Sequence, residues 1–187
     1  MQAVILAAGM GKRLLDLTIN RTKCMVEVAG ELIIDRILND LIKLNLSRIV
    51  IVTGHGAKGL EQHVLSNYSG IDIVFIYNEL YMNTNNIYSL SLAKDFLIED
   101  DCIILESDIV FQDGILSDLV KSSYSNISVV AKYEYWMEGT MVEIDKSNNI
   151  TKLISKEKFE IERSDLYYKT VNIYKFSKEF LRFKYVP

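Results

Sequence analysis

Short, nearly continuous apolar runs recur along the first two thirds of the chain, and polar or glycine-rich segments separate them. These runs lie at residues 3–6, 49–52, 71–77 and 102–105. Apolar runs of this length predict strands that are buried on both faces, which is typical of parallel sheets. The first run ends abruptly in glycine-rich sequence, as a buried strand does where it meets a turn.

Helical periodicity fills the intervals between these runs. From residue 32 to 44 the apolar positions recur at three- and four-residue spacing, which predicts an amphipathic helix. Weaker helical patterns cover residues 60–68 and 87–96. Strands that alternate with helices predict an α/β fold with a mostly parallel sheet, flanked by helices. Right-handed crossovers in such a fold place ligands at the carboxyl ends of the strands.

The pattern changes after about residue 127. The segments that follow predict strands at residues 127–133, 141–144, 150–154 and 171–176. Turn-forming residues between two of these strands favour an antiparallel or mixed arrangement. We therefore expect one domain over residues 1–187, with an α/β core over 1–126 and a smaller β extension over 127–187.

Composition and charge argue against two classes of protein, disordered chains and nucleic-acid-binding proteins. With 49% hydrophobic and 25% charged residues, the chain has the composition of a globular domain rather than a disordered one. Residues 1–145 hold 11 basic against 20 acidic side chains, and this acidic body argues against nucleic acid as a partner. The basic segment 146–187 faces either solvent or a phosphorylated ligand.

Other features of the sequence indicate the cellular compartment in which the protein is expected. The chain has no run near the roughly 18 apolar residues that a membrane span needs, and its start lacks the pattern of a signal peptide. We therefore expect a cytoplasmic protein that does not bind a membrane. Cys24 and Cys102 lie far apart in apolar stretches, which predicts core residues rather than a zinc site or a disulfide.

The first strand ends in a glycine turn at residues 6–14, with the sequence Leu-Ala-Ala-Gly-Met-Gly-Lys-Arg-Leu. Small residues and glycine let backbone N–H groups approach an anion closely, and the basic pair adds charge-assisted donors. A dinucleotide fingerprint would need glycine in place of Leu14, and a Walker A loop would need Ser or Thr in place of Arg13. These differences exclude both motifs and leave another kind of nucleoside-triphosphate cradle.

The glycine turn resembles the signature Leu-Ala-Ala-Gly-x-Gly-x-Arg-[Leu/Met] of nucleotidyltransferases, which join a nucleoside monophosphate to a phosphorylated acceptor and release pyrophosphate. The resemblance implies a Rossmann-like sheet of the nucleotide-diphospho-sugar transferase type. It also implies that the turn binds the nucleotide through Leu6, Ala7, Ala8, Gly9 and Gly11.

A second signature of that family carries a lysine, usually in Thr-Pro-Lys-Pro. The corresponding residues here are Arg21, Thr22, Lys23 and Cys24, so threonine stands where proline is usual. The resemblance implies that Arg13 and Lys23 hold the triphosphate, and that Lys23 stabilises the charge that develops at the α-phosphorus. The neighbouring Lys12 is expected to be solvated.

Two carboxylates, Glu106 and Asp108, follow the fourth predicted strand. Because alternate residues of a strand share a face, both are expected to point to the same side. Carboxylates near a triphosphate suit Mg²⁺, which prefers oxygen ligands and takes one or two of them from the protein. The resemblance implies that Asp108 is the first metal ligand, with Glu106 in the wall of the nucleotide pocket. A solvated aspartate at the end of a strand is the alternative for Asp108.

The family normally supplies a second metal carboxylate from near the end of the domain, and no residue here matches it. The chain stops in the apolar, aromatic segment 180–187. We therefore expect the chain to be the N-terminal part of a longer polypeptide, with a fused C-terminal domain.

The stretch at residues 81–90, Tyr-x-x-x-Asn-Asn-Ile-Tyr-Ser-Leu, resembles the corresponding part of bacterial phosphocholine cytidylyltransferases and 2-aminoethylphosphonate cytidylyltransferases. The amides of Asn85 and Asn86 offer donors and acceptors that suit the edge of a cytosine ring. Capping of the following helix is the structural alternative for Asn85.

The side chains expected to bind the acceptor lie in the second half. Trp136, the only tryptophan, stands close to Glu138, and aromatic rings beside carboxylates suit a small cationic group. A tryptophan packed in the core is the competing interpretation. Residues 167–176 resemble the strand that closes the acceptor side of the aminoethylphosphonate enzymes, which makes Lys169 and Asn172 further candidates. A surface position is the alternative for Lys169.

The leading hypothesis is a cytidylyltransferase that uses CTP, Mg²⁺ and a small phosphorylated or phosphonate amine, either phosphocholine or 2-aminoethylphosphonate. Two alternatives stay open. One is a sugar-phosphate nucleotidyltransferase that uses UTP or dTTP, and the other is a non-catalytic nucleotide-binding module. The presence of both Lys23 and Asp108 favours catalysis over the binding module.

Overall fold

Each apolar run in the first two thirds of the chain forms a strand in the computed structural model, which describes residues 1–185. These residues divide into two units. The first unit holds Met1–Ile127 and the described residues from Tyr174 onward, and the second holds Ser128–Ile173. The end of the aromatic segment noted above, residues 186–187, lies outside the described residues.

The first unit contains a parallel sheet and a short antiparallel hairpin. Its strands are β1 (Gln2–Ala7), β2 (Glu27–Val28), β3 (Glu31–Leu32), β4 (Ile49–Thr53), β5 (Ile73–Tyr77) and β6 (Cys102–Glu106). The order of the parallel sheet is β5-β4-β1-β6, so β1 is paired on both sides, and β2 and β3 form the hairpin. Because these four strands run the same way, their carboxyl ends lie at one edge of the sheet.

Helices connect these strands, as the periodicity predicts. The α-helices are α1 (Ile33–Ile42), α2 (Ala57–Asn67), α3 (Asn86–Leu92), α4 (Lys94–Leu97), α5 (Ile115–Lys121) and α6 (Lys178–Tyr185), and 3₁₀ helices cover Lys12–Thr18, Lys23–Met25, Lys156–Lys158 and Ile161–Leu166. The single helix predicted over residues 87–96 is wrong. Ala93 has φ −89° and ψ 10°, and this break separates α3 from α4.

Apolar side chains of the sheet and of several helices form the core of the first unit. Helix α1 buries one continuous face, which consists of Ile33, Ile34, Ile37, Leu38 and Leu41. A further cluster joins Val4, Val50 and Ile104 of three neighbouring strands to Leu97 and Leu181 of two helices. Within residues 1–185, no helix has the length and apolar character that crossing a membrane requires.

The second unit contains the remaining strands. They are β7 (Ile127–Lys132), β8 (Met141–Ile144), β9 (Ile150–Ile154) and the larger part of β10 (Tyr167–Phe176), whose last residues from Tyr174 onward belong to the first unit. Strand β8 pairs antiparallel with both β9 and β10. The predicted start of the last strand at residue 171 is too late, because Tyr167–Lys169 already pair with β8. A mostly parallel sheet with helices and a smaller antiparallel part confirms the predicted fold class.

Both cysteines are fully buried, as the sequence predicts. Burial is the largest effect on each thiol and raises the pKa of Cys24 and of Cys102 to about 12, from an ordinary value of 9.0. The native protein therefore keeps both thiols neutral where the unfolded chain ionises, so this contribution to stability is present below pH 9.0 and is lost as the pH rises towards 12.

We expect iodoacetamide to leave both cysteines unmodified in the folded protein at pH 8 and to modify both after unfolding in urea, because the thiolate is the reactive form. Mass spectrometry of the two cysteine-containing peptides measures this. Rapid modification of either residue in the folded protein would contradict its position in the core.

Candidate functional site

The glycine turn after β1 and the carboxylates after β6 meet at the carboxyl edge of the parallel sheet. Leu6 lies opposite Glu106 in the register of these two strands, and the Ser107 N–H donates a hydrogen bond to the Leu6 carbonyl at 3.2 Å. Parallel pairing therefore brings together segments that are distant in sequence. A cavity of about 50 Å³ lies here, lined by Leu6, Gly9, Lys23, Asn86, Glu106, Ser107 and Asp108.

Lys23 and Asp108 form an ion pair in this cavity. The distance from Lys23 Nζ to Asp108 Oδ2 is 2.6 Å, and the two side chains are 24% and 28% exposed. An ammonium and a carboxylate that are partly open to solvent can each accept a new partner from a ligand. A phosphate oxygen suits the lysine, and a divalent cation suits the aspartate.

The two carboxylates reach the cavity in different ways. Strand β6 ends at Glu106, which accepts a hydrogen bond from Asn86 Nδ2. Asp108 lies in the turn that follows. The prediction that both residues share a strand face is therefore wrong, but the turn still brings both carboxylates to the same cavity.

The neighbouring residues Asn85 and Asn86 have different surroundings. Asn86 lines the cavity, whereas Asn85 is the N-cap of α3 and accepts a hydrogen bond from the Tyr88 N–H at 3.3 Å. Asn85 therefore caps the helix, which was the structural alternative to nucleotide binding for this residue. Its neighbour is the residue of the pair that faces the predicted nucleotide site.

The glycine turn holds its shape through Gly11, whose φ of +64° is in the left-handed region. A Cβ atom at this position would lie 2.6 Å from Lys23 Cγ and 2.9 Å from Thr18 Cγ2. Thr18 Oγ1 also donates a hydrogen bond to the Gly11 carbonyl at 3.1 Å, and His55 Nε2 lies 2.8 Å from the Thr18 carbonyl. Only glycine therefore fits here without moving the lysine side chain.

Arg13 is exposed on the 3₁₀ helix that follows the turn, next to the exposed Lys12, and it does not line the cavity. Ala7 and Ala8 are buried beneath the turn and do not line it either. Of the side chains predicted to hold the triphosphate, Lys23 is therefore the one that the structure brings to the carboxylates.

The donor set of the cavity suits a hard divalent cation. Within residues 1–185, no group of three or more His, Cys, Asp or Glu side chains is arranged to hold a metal ion. Mg²⁺ does not need such a group, because it usually binds through one or two carboxylates together with substrate phosphates and water. Glu106 and Asp108 supply oxygen ligands of that kind, so the residues present fit Mg²⁺.

In the second unit, Trp136 is 62% exposed, and its Nε1 donates a hydrogen bond to Glu134 Oε2 at 2.8 Å. The interpretation of this residue as a core tryptophan is therefore wrong. Glu138 lines a separate cavity of about 690 Å³. The other residues that line it are Tyr133, Met137, Gly139, Thr140, Met141, Ile154, Ser155, Lys156, Glu157 and Phe159.

The two candidates on β10 lie outside the lining of that larger cavity. Lys169 is partly buried, and its Nζ donates a hydrogen bond to the Thr170 carbonyl. Asn172 has a left-handed φ of 60°, and its Oδ1 accepts a hydrogen bond from Thr170 Oγ1 at 3.5 Å. Lys169 is therefore not a fully solvated surface residue.

Three residues that the sequence pattern did not single out support the first cavity. Ser107 lines it, and Thr18 and His55 brace the glycine turn through the hydrogen bonds described above. Position was the one available signal for Ser107 and His55, since each lies in or next to a turn that follows a predicted strand, whereas Thr18 lies at the end of a 3₁₀ helix and had no such signal.

Comparisons with known proteins identify the family of the chain. The chain matches the nucleotidyl transferase family over residues 2–184. It is 29% identical over 190 residues to CMP-5'-(3-aminopropyl)phosphonate synthase of Streptomyces rubellomurinus, a match that covers 100% of this chain and 30% of the relative. It is 35% identical over 153 residues to choline-phosphate cytidylyltransferase of Haemophilus influenzae, covering 78% and 62%. This chain thus spans less than two thirds of either relative.

A solved structure supports the fold independently. The CTP:phosphocholine cytidylyltransferase of Streptococcus pneumoniae superposes with a TM-score of 0.76 at 22% identity, covering 99% of this chain and 77% of that one. The likeness confirms the predicted nucleotide-diphospho-sugar transferase type of fold.

Proposed function

This chain belongs to the nucleotidyl transferase family, as the glycine turn predicts, and we propose that it transfers CMP from CTP to a small phosphorylated or phosphonate amine with release of pyrophosphate. One observation carries the proposal. Lys23 and Asp108, which lie far apart in the sequence, stand 2.6 Å apart in a cavity beside the glycine turn. A cation for phosphate and an anion for a metal are the two charges that this reaction requires.

The proposed step exchanges one bond at the α-phosphorus for another. An oxygen of the acceptor phosphate or phosphonate attacks this phosphorus, and the bond to the bridging oxygen of the β-phosphate breaks. Pyrophosphate leaves with the electron pair of that bond. Because the attacking oxygen is already anionic, no general base is required.

Lys23 supplies positive charge where negative charge builds up during this step. Its side chain lines the same cavity as Gly9, an exposed glycine whose backbone N–H group suits a phosphate oxygen. Arg13, exposed beyond the turn, extends the positive charge towards the outer phosphates. These groups act by position and charge, which is the usual protein contribution to phosphoryl-type transfer.

Asp108 is the proposed ligand for Mg²⁺, with Glu106 as the second oxygen donor from the same cavity. When bound, the ion neutralises charge on the phosphate oxygens. The Asn86 amide holds Glu106 by a hydrogen bond and so fixes the direction of that carboxylate.

Two observations support CTP as the nucleotide substrate. The two curated relatives described above are named as a CMP-phosphonate synthase and a cytidylyltransferase. The carboxamide of Asn86, in the wall of the cavity, offers both a donor and an acceptor, which a cytosine edge requires. Asn85 contributes by capping α3 and so holding its neighbour in place.

We assign recognition of the acceptor amine to the second unit. Glu138 lines a large cavity there together with the aromatic rings of Tyr133 and Phe159, whose centroids lie 5.2 Å apart. Carboxylates and aromatic faces attract an ammonium group by charge and by cation–π interaction. The exposed indole of Trp136 provides a further ring of this kind, and Lys169 and Asn172 remain candidates for the anionic end of the acceptor.

Substitution of Gly11 by alanine should disturb the lysine directly. The new Cβ would overlap Lys23 Cγ, and the residue would also have to adopt a left-handed φ. A displacement of about 1 Å at a reacting group can cost about a hundredfold in rate, so we expect kcat to fall by about that factor.

The matched control is Gly59→Ala, because Gly59 lies in α2 and a Cβ there meets no atom within 4 Å. This control should keep its activity and gain a few tenths to about 1 kcal/mol of stability from helix propensity. Steady-state kinetics and urea unfolding of both variants measure the difference. Equal rates in the two variants would show that the turn tolerates a Cβ and does not position the lysine.

A panel of substrate pairs tests the proposed function. CTP, UTP, dTTP, ATP and GTP are each combined with phosphocholine, 2-aminoethylphosphonate and glucose 1-phosphate, and pyrophosphate release is measured. We expect the fastest release with CTP and one of the two amines. Preference for UTP or dTTP with the sugar phosphate would replace the proposal with the sugar-nucleotide alternative. Nucleotide binding without turnover of any pair would favour the binding module.

A further inference from the structure

Thr22 precedes the catalytic lysine and is 1% exposed. It is the N-cap of the 3₁₀ helix Lys23–Met25, and its carbonyl accepts a hydrogen bond from the Met25 N–H at 3.0 Å. Its φ of −70° is the value that a proline ring would impose, and its ψ of 158° is extended. A threonine has no ring to hold this φ, so other contacts must do so.

Two such contacts are present. Thr22 Oγ1 donates a buried hydrogen bond to the Ala7 carbonyl at 3.2 Å, which ties the residue before Lys23 to the end of β1. From another direction, the backbone of Gly56 lies so close that a Cβ there would come within 2.7 Å of the Thr22 nitrogen. The main chain at this point is thus held by a strand end on one side and by the start of α2 on the other.

We propose that Thr22 is a positioning residue for Lys23, an inference that rests on the proposed function. Its hydroxyl anchors the short 3₁₀ helix to the strand that carries the glycine turn. The lysine ammonium is thereby kept within reach of Asp108 in the free protein and of the α-phosphate in the complex. The hydrogen bond replaces the conformational restriction that a proline ring provides.

Thr22→Val removes the hydroxyl and keeps the branched shape, and Thr22→Ser keeps the hydroxyl. The matched control is Thr53→Val, which removes another fully buried threonine hydroxyl, the one that bonds Glu61 Oε1 at 2.9 Å. The first measurement is the yield of the amide that a water-soluble carbodiimide forms between Lys23 and Asp108, read by mass spectrometry. The second is the steady-state kinetics of each variant with CTP and its best acceptor.

We expect Thr22→Val to lower the cross-link yield several-fold and kcat by about tenfold, with a much smaller change in the KM for CTP. Thr22→Ser should recover most of both, and Thr53→Val should lower thermal stability while leaving the cross-link and kcat near wild type. A cross-link yield in Thr22→Val equal to that of wild type would overturn the proposal, as would equal losses in both valine variants.

The two measurements separate the positioning of Lys23 from the proposed reaction. If the wild-type protein turned over no substrate pair, the proposed function would fail. The cross-link yields would still decide whether Thr22 holds Lys23 against Asp108, because that reaction needs no substrate.

Discussion

We expect Asp108→Asn to lower the rate of pyrophosphate release by at least about a hundredfold, because a metal ion in such a site supplies several kcal/mol of charge stabilisation. The amide keeps the shape of the side chain but loses the charge that holds a divalent cation. The rate should also become nearly independent of Mg²⁺ concentration. Pyrophosphate release across a Mg²⁺ titration measures both effects.

The same substitution should leave the fold intact. The pair of Asp108 with Lys23 is partly open to solvent, so its loss should change the free energy of unfolding by about 1 kcal/mol or less. Asp113→Asn is the matched control, since Asp113 is an exposed aspartate a few residues further along. Near wild-type, Mg²⁺-dependent activity in Asp108→Asn would mean that the metal binds elsewhere.

Lys23→Met should lower kcat by about a hundredfold to a thousandfold, which is the range found when one preorganised donor is removed from a transition state. Methionine keeps most of the length and apolar stem of the side chain, so the loss reports the ammonium group. Lys23→Arg should recover little, because a planar guanidinium differs in size and geometry from a compact ammonium. Steady-state kinetics with CTP and the best acceptor measure both variants.

A binding experiment distinguishes this role from general damage. Lys23 Nζ lies 2.6 Å from Asp108 Oδ2, so it should compete with a cation for that carboxylate. Lys23→Met should therefore bind Mn²⁺ more tightly than wild type while catalysing far more slowly, and electron paramagnetic resonance of free Mn²⁺ measures the affinity. The control Lys12→Met removes an exposed lysine of the same segment and should change neither quantity. Weaker Mn²⁺ binding in Lys23→Met would contradict the proposed competition.

The four strands of the parallel sheet, β1, β4, β5 and β6, were the most predictable part of the fold. Buried parallel strands need continuous apolar runs, and no other part of the chain carries them so clearly. Short elements were harder to predict. The hairpin of β2 and β3 and the helices α5 and α6 are too short for a strong periodic signal, and the break between α3 and α4 lies at Ala93, where no glycine or proline marks it.

The residues of the candidate site were predictable from the sequence, but the ion pair that two of them form was not. The glycine turn, Lys23 and Asp108 are visible as motifs because the chemistry requires particular residue types. That Lys23 and Asp108 form an ion pair depends on the pairing of β1 with β6, a long-range contact that local sequence does not encode. Likewise, Trp136 lies exposed in a turn with its indole bonded to Glu134, and a single aromatic residue carries no sequence signal for that position.

³¹P NMR of a complete reaction tests most directly the proposed transfer of a cytidylyl group at the α-phosphorus. Wild-type protein is incubated with CTP, Mg²⁺ and 2-aminoethylphosphonate or phosphocholine. We predict one equivalent of pyrophosphate and coupled resonances from a new P–O–P linkage between CMP and the acceptor, both of them lost in Lys23→Met. Formation of CDP with inorganic phosphate, or of CMP without a linked product, would contradict the proposed transfer.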